Sequence, residues 1–186
     1  MLLRSVFAVS LLSLATAAVA DSIDINLSDD VAQFQYVAPM GNVGQGKSEF
    51  HAGFLYNDSN NALVDAGLLV MSKEDSTSDV SVGVGVKVLA ARINTNNAVS
   101  LALGGQVRYS PSADKKIGVV GQLYFAPDIV TFADADRYIE TGVDLEYRVM
   151  PQATAYVGYR KVKFGIKTAQ DETLDEGAHV GVRVAF

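Results

Sequence analysis

The sequence predicts an all-β protein: a transmembrane antiparallel up-and-down β-barrel that follows an N-terminal signal peptide. Three observations predict this fold. Apolar and polar residues alternate with a period of two over most of the chain, which is typical of strands. Many alternating segments are longer than the ~5–6 residues of an ordinary globular strand and match the ~9–11 residues of a tilted membrane-spanning strand. The chain also ends on such a segment, with Phe186 as its last residue.

The composition excludes several classes of protein. The 186 residues include 15 Lys and Arg against 21 Asp and Glu, a formal net charge of −6. This acidic balance argues against a nucleic-acid partner, because nucleic-acid-binding proteins present basic patches. The chain has no Cys, which excludes disulfides, thiolate metal sites and a Cys nucleophile. With 49% hydrophobic and 19% charged residues, intrinsic disorder is not expected.

The first twenty residues have the layout of a secretory signal peptide. Arg4 precedes an apolar run over 6–14, and small residues around Ala18 and Ala20 offer a cleavage site before Asp21. A transmembrane anchor is the alternative, but the run is shorter than the ~20 residues that a spanning helix needs. The sequence therefore predicts a signal peptide over 1–20 and one barrel domain over 21–186. Export leaves three locations open: the periplasm, the outer membrane, which the barrel features below favour, and the outside of the cell.

Ten alternating segments are predicted as strands, separated by clusters of Asn, Asp, Ser and Gly that favour turns. They cover residues 22–27, 31–37, 47–57, 62–73, 79–91, 98–109, 116–126, 137–149, 153–164 and 177–186. The first two are short, so eight strands is the alternative to ten. Both numbers are even, as in bacterial barrels, and the sheet has to close because a bilayer cannot hydrate an open edge. The loose stretch 38–46 is predicted to be a flexible connection.

Alternation by itself does not say which face points outward. A soluble periplasmic barrel of the lipocalin type, with its apolar face around a ligand, is the alternative. The membrane barrel is favoured because the apolar rows carry almost no charge and because aromatic residues occur near predicted strand ends, where interfacial girdles lie. These aromatic residues are Tyr109, Phe125, Tyr138, Tyr147 and Tyr159.

The C-terminal half resembles a known family. The last strand has apolar residues at alternating positions before a final Phe, similar to the assembly signal of bacterial outer-membrane proteins; these residues are Val180, Val182, Val184 and Phe186. More specifically, residues 98–186 resemble the YfaZ family of outer-membrane proteins. The similar segments are YFAPD at 124–128, VMP at 149–151, VGYR at 157–160 and LDEGAHVGV at 174–182. The resemblance implies a barrel in the outer membrane and implies no catalytic residue.

With the apolar rows facing lipid, the polar rows line the lumen. The predicted lumen charges are Glu49, Asp65, Glu140, Asp144 and Glu146 with Lys87, Arg108, Arg148, Arg160 and Arg183. His51, His179, Gln106, Gln122, Tyr124 and Tyr156 join them. Isolated charges are costly in a narrow barrel, so these groups are expected to pair. A packed ion-pair network is favoured over a narrow channel with a charged constriction, because small barrels are filled by their own side chains.

Two acidic segments, 127–137 and 165–176, are predicted as loops outside the cell, where they are expected to be solvated. A divalent-cation site that bridges to lipopolysaccharide phosphates is the alternative, because hard cations prefer carboxylate oxygens. The turns at the inner end of the barrel are expected to be short.

The sequence favours a barrel without enzymatic activity, either structural or a narrow channel. A lipid-modifying enzyme is the alternative class, and His51 and His179 are its candidate bases. No G-x-S-x-G motif is present, and both histidines fall on the lumen face rather than toward lipid. No cofactor or metal is expected. The expected partners are outer-membrane lipid, lipopolysaccharide and, during biogenesis, the barrel-assembly machinery.

Overall fold

The computed structural model describes residues 21–72, 79–111, 116–167 and 170–186, and the predicted signal peptide over 1–20 lies outside them. The described chain contains one short 3₁₀ turn, Asp128–Val130, and eleven strands. The strands are β1 (Ser22–Ser28), β2 (Val31–Val43), β3 (Gly46–Asn57), β4 (Ala62–Met71), β5 (Val80–Ile93), β6 (Asn96–Tyr109), β7 (Ile117–Ala126), β8 (Thr131–Ala133), β9 (Ala135–Met150), β10 (Ala153–Ile166) and β11 (Glu172–Ala185).

Ten of these strands close into one antiparallel barrel. β1 pairs with both β2 and β11, so the first and last strands are neighbours, and the pairing of β5 with β6 completes the ring. The eleventh strand, β8, is a short continuation of β7: it pairs with β6 at Ser100 and Thr131, beyond the point where β7 ends. The prediction of a ten-stranded barrel is confirmed. No helix in the described part of the chain is long and apolar enough to cross a membrane.

The outer surface of the barrel is apolar. On β9, for example, Val143 is 50% exposed and its neighbours Leu145 and Tyr147 also point outward, whereas Asp144 and Glu146 point inward. The same alternation repeats around the ring, because successive side chains of a strand point to opposite faces. A closed barrel with an apolar outside and a polar inside satisfies its backbone in a bilayer. The alternative of a soluble barrel with the apolar rows inside is therefore wrong.

We expect a charge on this outer surface to destabilise the barrel according to its depth. Val143→Arg, near the middle of β9, should lower the free energy of unfolding in liposomes by about 2–4 kcal/mol. Val149→Arg, near the end of the same strand and also outward-facing, should cost only about 0–1 kcal/mol. Urea unfolding of the two variants measures the difference, and equal costs would contradict a bilayer around β9.

The two ends of the barrel are distinguished by the chain termini. The terminal end carries Asp21 and Phe186, which are joined by the bond from the Phe186 backbone N–H to the Asp21 carbonyl at 2.9 Å. It also carries the connections 44–45, 72–79, 110–116 and 151–152, and the opposite end carries 29–30, 58–61, 94–95, 127–134 and 167–171. The prediction of short turns at the terminal end is therefore wrong for 72–79 and 110–116.

The predicted flexible connection over 38–46 is wrong. β2 continues to Val43 and β3 starts at Gly46, so most of this segment is paired strand. The register of the pair shifts between Pro39 and Gly41, and Gly41 and Gly44 have φ angles of 94° and 62°. Glycine adopts this left-handed backbone without a steric penalty, so it serves a bulge and a tight turn as well as a flexible segment.

The two predicted acidic loops are also largely ordered strand. β10 continues to Ile166 and β11 starts at Glu172, and the segment 127–137 contains the 3₁₀ turn, β8 and the start of β9. The ends of these strands show no alternation of apolar and polar residues, because water can hydrate both of their faces. The period of two therefore does not reveal that they are strands. Among the predicted girdle residues, Tyr138 is an exception: it is buried and points inward, while the other four are exposed.

Candidate functional site

The inward side chains enclose a polar pocket, a cavity of about 190 Å³ in the middle of the lumen. Each of the ten barrel strands contributes at least one polar side chain to its wall, since the period of two brings every second residue inward. The charged residues of the wall are Asp24, Glu49, Asp65, Lys87, Arg108, Glu140, Asp144, Arg160 and Arg183. The wall also contains His51, His179, Gln106, Gln122, Tyr124 and Tyr156.

The structure brings together nine of the ten predicted lumen charges. Eight line the polar pocket, and Glu146 is buried against two of them, Arg108 and Arg183. Arg148 is different: it is exposed close to the terminal end of β9 and makes no ion pair within the described part of the chain. The alternation places Arg148 on the correct face but cannot say that its strand has already left the lumen.

A first ion-pair cluster lies on the terminal side of the polar pocket. Arg183 donates from Nε to Asp24 Oδ2 at 2.9 Å and from Nη1 to Glu146 Oε1 at 3.0 Å. Arg108 donates from both terminal nitrogens to Glu146, and its Nη2 lies 3.3 Å from Oε1. The Tyr156 hydroxyl donates to Asp24. Each carboxylate of this cluster is thus neutralised by at least one guanidinium.

A second cluster surrounds Glu140 deeper in the lumen. Lys87 Nζ donates to Glu140 Oε2 at 2.7 Å, Gln122 donates to Oε1 at 3.3 Å, and the Tyr138 hydroxyl also donates to this carboxylate. The Lys87 ammonium lies 4.2 Å from the centre of the Tyr124 ring, which adds a cation–π contact. All of these partners come from β5, β7 and β9, so the barrel wall itself sets the geometry.

A third cluster pairs Arg160 with Asp175. The Arg160 Nε donates to Asp175 Oδ2 at 2.6 Å, and both side chains are 3% exposed. Arg160 Nη1 also donates to the side-chain amide oxygen of Gln33, Oε1. The sequence prediction missed Asp175, because it lies on the part of β11 that was predicted as a loop. It also missed Asp24, although the apolar row Ile23, Ile25 and Leu27 places Asp24 on the inward face.

The two histidines each contact one carboxylate. His179 Nε2 lies 2.9 Å from Asp144 Oδ1, and His51 Nε2 lies 3.4 Å from Glu49 Oε2. Nucleophilic catalysis needs a base within hydrogen-bond reach of a nucleophile. Among the described residues, no Ser or Thr hydroxyl makes a hydrogen bond with either ring. Neither histidine is therefore placed as a catalytic base beside a nucleophile, and both are polar residues of the lumen wall.

Beyond the polar pocket, toward the opposite end, the lumen is filled by an apolar plug. Its central side chains are 0–1% exposed and belong to one continuous cluster: Leu55, Leu89, Ile93, Tyr138 and Phe164. The rings of Tyr138 and Phe164 pack at 4.9 Å between centroids. The sequence prediction missed this plug. The sequence does contain an indication of the plug. Large apolar residues such as Leu55, Leu63 and Leu89 occur on the otherwise polar inward rows, each toward the opposite end of the barrel.

Solvent reaches the polar pocket from the terminal end. Arg183 and Arg108 point inward near that end, yet their side chains are 32% and 25% exposed. Exposure falls along the lumen to 12% at Lys87 and 3% at Arg160, and reaches zero at Phe164 in the plug. The lumen is therefore a blind pocket that opens at the terminal end and is closed at the opposite end.

Two carboxylates near the opposite end form ion pairs with cations at the ends of β9 and β10. Asp171 Oδ2 lies 2.8 Å from Lys163 Nζ and 2.8 Å from Arg137 Nη2, and Glu176 lies 2.8 Å from Lys161. The hydrogen bonds from Lys163 and Arg137 hold the pKa of the exposed Asp171 carboxyl below its usual value. In the ranges that the structure describes, no three His, Asp or Glu side chains converge as a metal site would require.

Comparison with known proteins gives one family and several structural likenesses. The family model described as YfaZ precursor matches residues 2–186, which confirms the resemblance seen in the C-terminal half and extends it over nearly the whole chain. No curated protein matches. A KdgM porin in complex with disordered oligogalacturonate is 12% identical with a TM-score of 0.49, and the match covers 90% of this chain and 99% of the porin.

Two further solved structures are similar. A second structure of a KdgM porin is 13% identical with a TM-score of 0.46, and the match covers 90% of this chain and 99% of that one. OmpT, an outer-membrane protein of Vibrio cholerae, is 11% identical with a TM-score of 0.42, and the match covers 89% of this chain and 64% of OmpT.

Proposed function

We propose that this chain, which belongs to the YfaZ family, is a closed outer-membrane barrel that has a structural role and does not conduct solutes. The observation that carries the proposal is the apolar plug. A conducting pore needs a hydrated path through the whole lumen, and hydrophobic constrictions close pores by excluding water. Here Leu55, Leu89 and Phe164 are packed without access to solvent across the lumen.

The ion-pair clusters support the same proposal. A selective constriction requires charged groups that can exchange their partners for a passing ion. Glu146 and Glu140 instead hold two or three donors each, most of them reaching across the lumen from strands that do not pair with β9, and both are buried. Displacing these donors would leave buried charges without partners, which is costly. The clusters therefore act as packing of the lumen, as the sequence favoured.

The test is single-channel recording of the refolded barrel in planar bilayers. We expect no conductance steps in 1 M KCl, because neither water nor ions cross the plug. The gel shift between boiled and unboiled samples establishes that the recorded protein is a folded barrel, and an open porin in the same bilayer is the positive control. Reproducible steps from the wild-type barrel would overturn the proposal and favour a narrow channel.

The proposal includes the absence of enzymatic activity. The carboxylate contacts of His51 and His179 lie inside the lumen, away from the lipid that a lipid-modifying enzyme would need to reach. Mass spectrometry of lipid A from cells that lack or overproduce the protein tests this directly. We expect identical profiles, and an acyl or headgroup change that His179→Ala abolishes would contradict the proposal.

A further inference from the structure

We propose that the polar pocket binds a small organic ammonium ion and that Asp65 is its counter-ion. This inference goes beyond the closed barrel proposed above, because it assigns a ligand to the lumen. It rests on three features of the pocket: a buried carboxylate without a partner, an excess of negative charge, and access from the terminal end.

Asp65 is the unpaired carboxylate. It lies on β4, is 9% exposed, and lines the polar pocket. It makes no hydrogen bond and no ion pair with any residue that the structure describes, unlike Glu140 and Asp24 on the same wall. Its partner across the β3–β4 ladder is Gly53, which has no side chain to cover the carboxylate. A Cβ at Gly53 would come within 2.5 Å of Asp65 Oδ2, so the carboxylate packs over this glycine in space that any other residue would fill.

The cations whose charge acts on Asp65 form ion pairs with other carboxylates. Lys87, His51 and Arg160 act on Asp65 through their charge. His51 contacts Glu49 at 3.4 Å. Lys87 Nζ donates to Glu140 at 2.7 Å, and Arg160 Nε donates to Asp175 at 2.6 Å. None of the three lies within ion-pair distance of Asp65, so the carboxylate is only partly neutralised by the wall.

The charges around the polar pocket do not balance. Seven carboxylates line the pocket or pair directly with its wall, against four Lys and Arg side chains and the two histidines, which contact Asp144 and Glu49. The carboxylates are Asp24, Glu49, Asp65, Glu140, Asp144, Glu146 and Asp175, and the cations are Lys87, Arg108, Arg160 and Arg183. Buried charges without partners are costly. A cation that enters from solution relieves this cost, whereas an anion increases it.

The pocket suits an organic ammonium ion better than a metal ion. A hard metal ion needs several convergent oxygens, and the described residues contain no group of three metal-binding side chains. An ammonium group donates up to three hydrogen bonds, and Asp65, Gln35 and Gln106, whose side chains carry acceptor oxygens, all line the cavity. A volume of about 190 Å³ also has room for a short alkyl chain behind the ammonium. Arg183 and Arg108, which are partly exposed and paired with Glu146, mark the entrance at the terminal end.

Isothermal titration of the refolded barrel in detergent tests the proposal with n-butylammonium chloride. We expect saturable binding with one site per barrel, no binding of butanol, and at least tenfold weaker binding to Asp65→Asn. Asp171→Asn is the matched control, because Asp171 is an exposed aspartate near the opposite end, and it should bind like wild type. Equal affinity of Asp65→Asn and wild type, or absence of binding to wild type, would overturn the proposal.

Two further ligands separate the alternatives. Sodium butyrate should not bind; if it binds as tightly as butylammonium, the buried Arg160 Nη2, which has no hydrogen-bond partner, is the recognition group and the proposal is wrong. Magnesium chloride binding that excludes butylammonium would also overturn it in favour of a metal site.

A second measurement uses only the wild-type barrel and so does not depend on whether Asp65→Asn folds. In urea unfolding of the wild-type barrel, butylammonium chloride should raise the midpoint above that in an equal concentration of sodium chloride, because a ligand that binds only the folded state stabilises it. No rise would overturn the proposal even if Asp65→Asn does not fold. Conductance in bilayers would contradict the closed barrel and leave this test unaffected.

Discussion

Phe164→Ala is expected to lower the free energy of unfolding by about 3–5 kcal/mol, because truncation of a buried Phe loses its burial and leaves a cavity. Phe164 is 0% exposed and packs against Tyr138 in the apolar plug. Urea unfolding in liposomes measures the loss. Phe125→Ala is the matched control: Phe125 points outward from β7 and is 45% exposed in the isolated chain, so we expect a clearly smaller effect.

The same region determines whether the lumen is closed. In the double variant Leu55→Ala and Phe164→Ala, two side chains of the plug are removed, and the polar pocket gains a path toward the opposite end. We expect conductance steps in planar bilayers that the wild-type barrel does not produce. A folded double variant that remains silent would show that these two residues are not the seal and would move the barrier to another part of the lumen.

Glu146→Gln is expected to lower the free energy of unfolding by about 3–5 kcal/mol, since removing one partner of a buried ion pair leaves the other charge uncompensated. Glu146 is 4% exposed and accepts hydrogen bonds from both Arg108 and Arg183. After the substitution, Arg183 keeps Asp24, whereas Arg108 loses its only ion-pair partner among the described residues. Urea unfolding measures the effect.

A second variant separates two effects of Glu146→Gln: the uncompensated charge left on Arg108 and the loss of the hydrogen bonds that Glu146 accepts. Adding Arg108→Leu to Glu146→Gln removes the uncompensated cation, so we expect part of the stability to return. Glu176→Gln is the control, because Glu176 pairs with Lys161 at the exposed end of the barrel, and such pairs contribute little. If Glu146→Gln is as mild as Glu176→Gln, the lumen is more hydrated around Glu146 than its burial indicates.

The alternation of the sequence was sufficient to predict the barrel because each strand faces two different solvents. On β9 the residues Val143 and Leu145 contact the outer apolar phase, and Asp144 and Glu146 contact the lumen, so one period identifies both faces. The same reasoning placed nine of the ten predicted charges in or against the polar pocket. The assignment of Tyr138 to the interfacial girdle was wrong although the period itself places Tyr138 on the inward face with Glu140. The period failed only at the strand ends, where water on both faces removes the need for alternation.

The sequence alone therefore favoured ten barrel strands over eight and determined their outward faces and the family, because these depend on local periodicity and on segments of consecutive residues. The tertiary structure decided which charges meet. Arg183 and Asp24 lie far apart in the chain and pair only because β11 closes against β1 in one register. It also decided that the lumen is closed, because Leu55, Leu89 and Phe164 form a plug only when their strands bring them to the same depth.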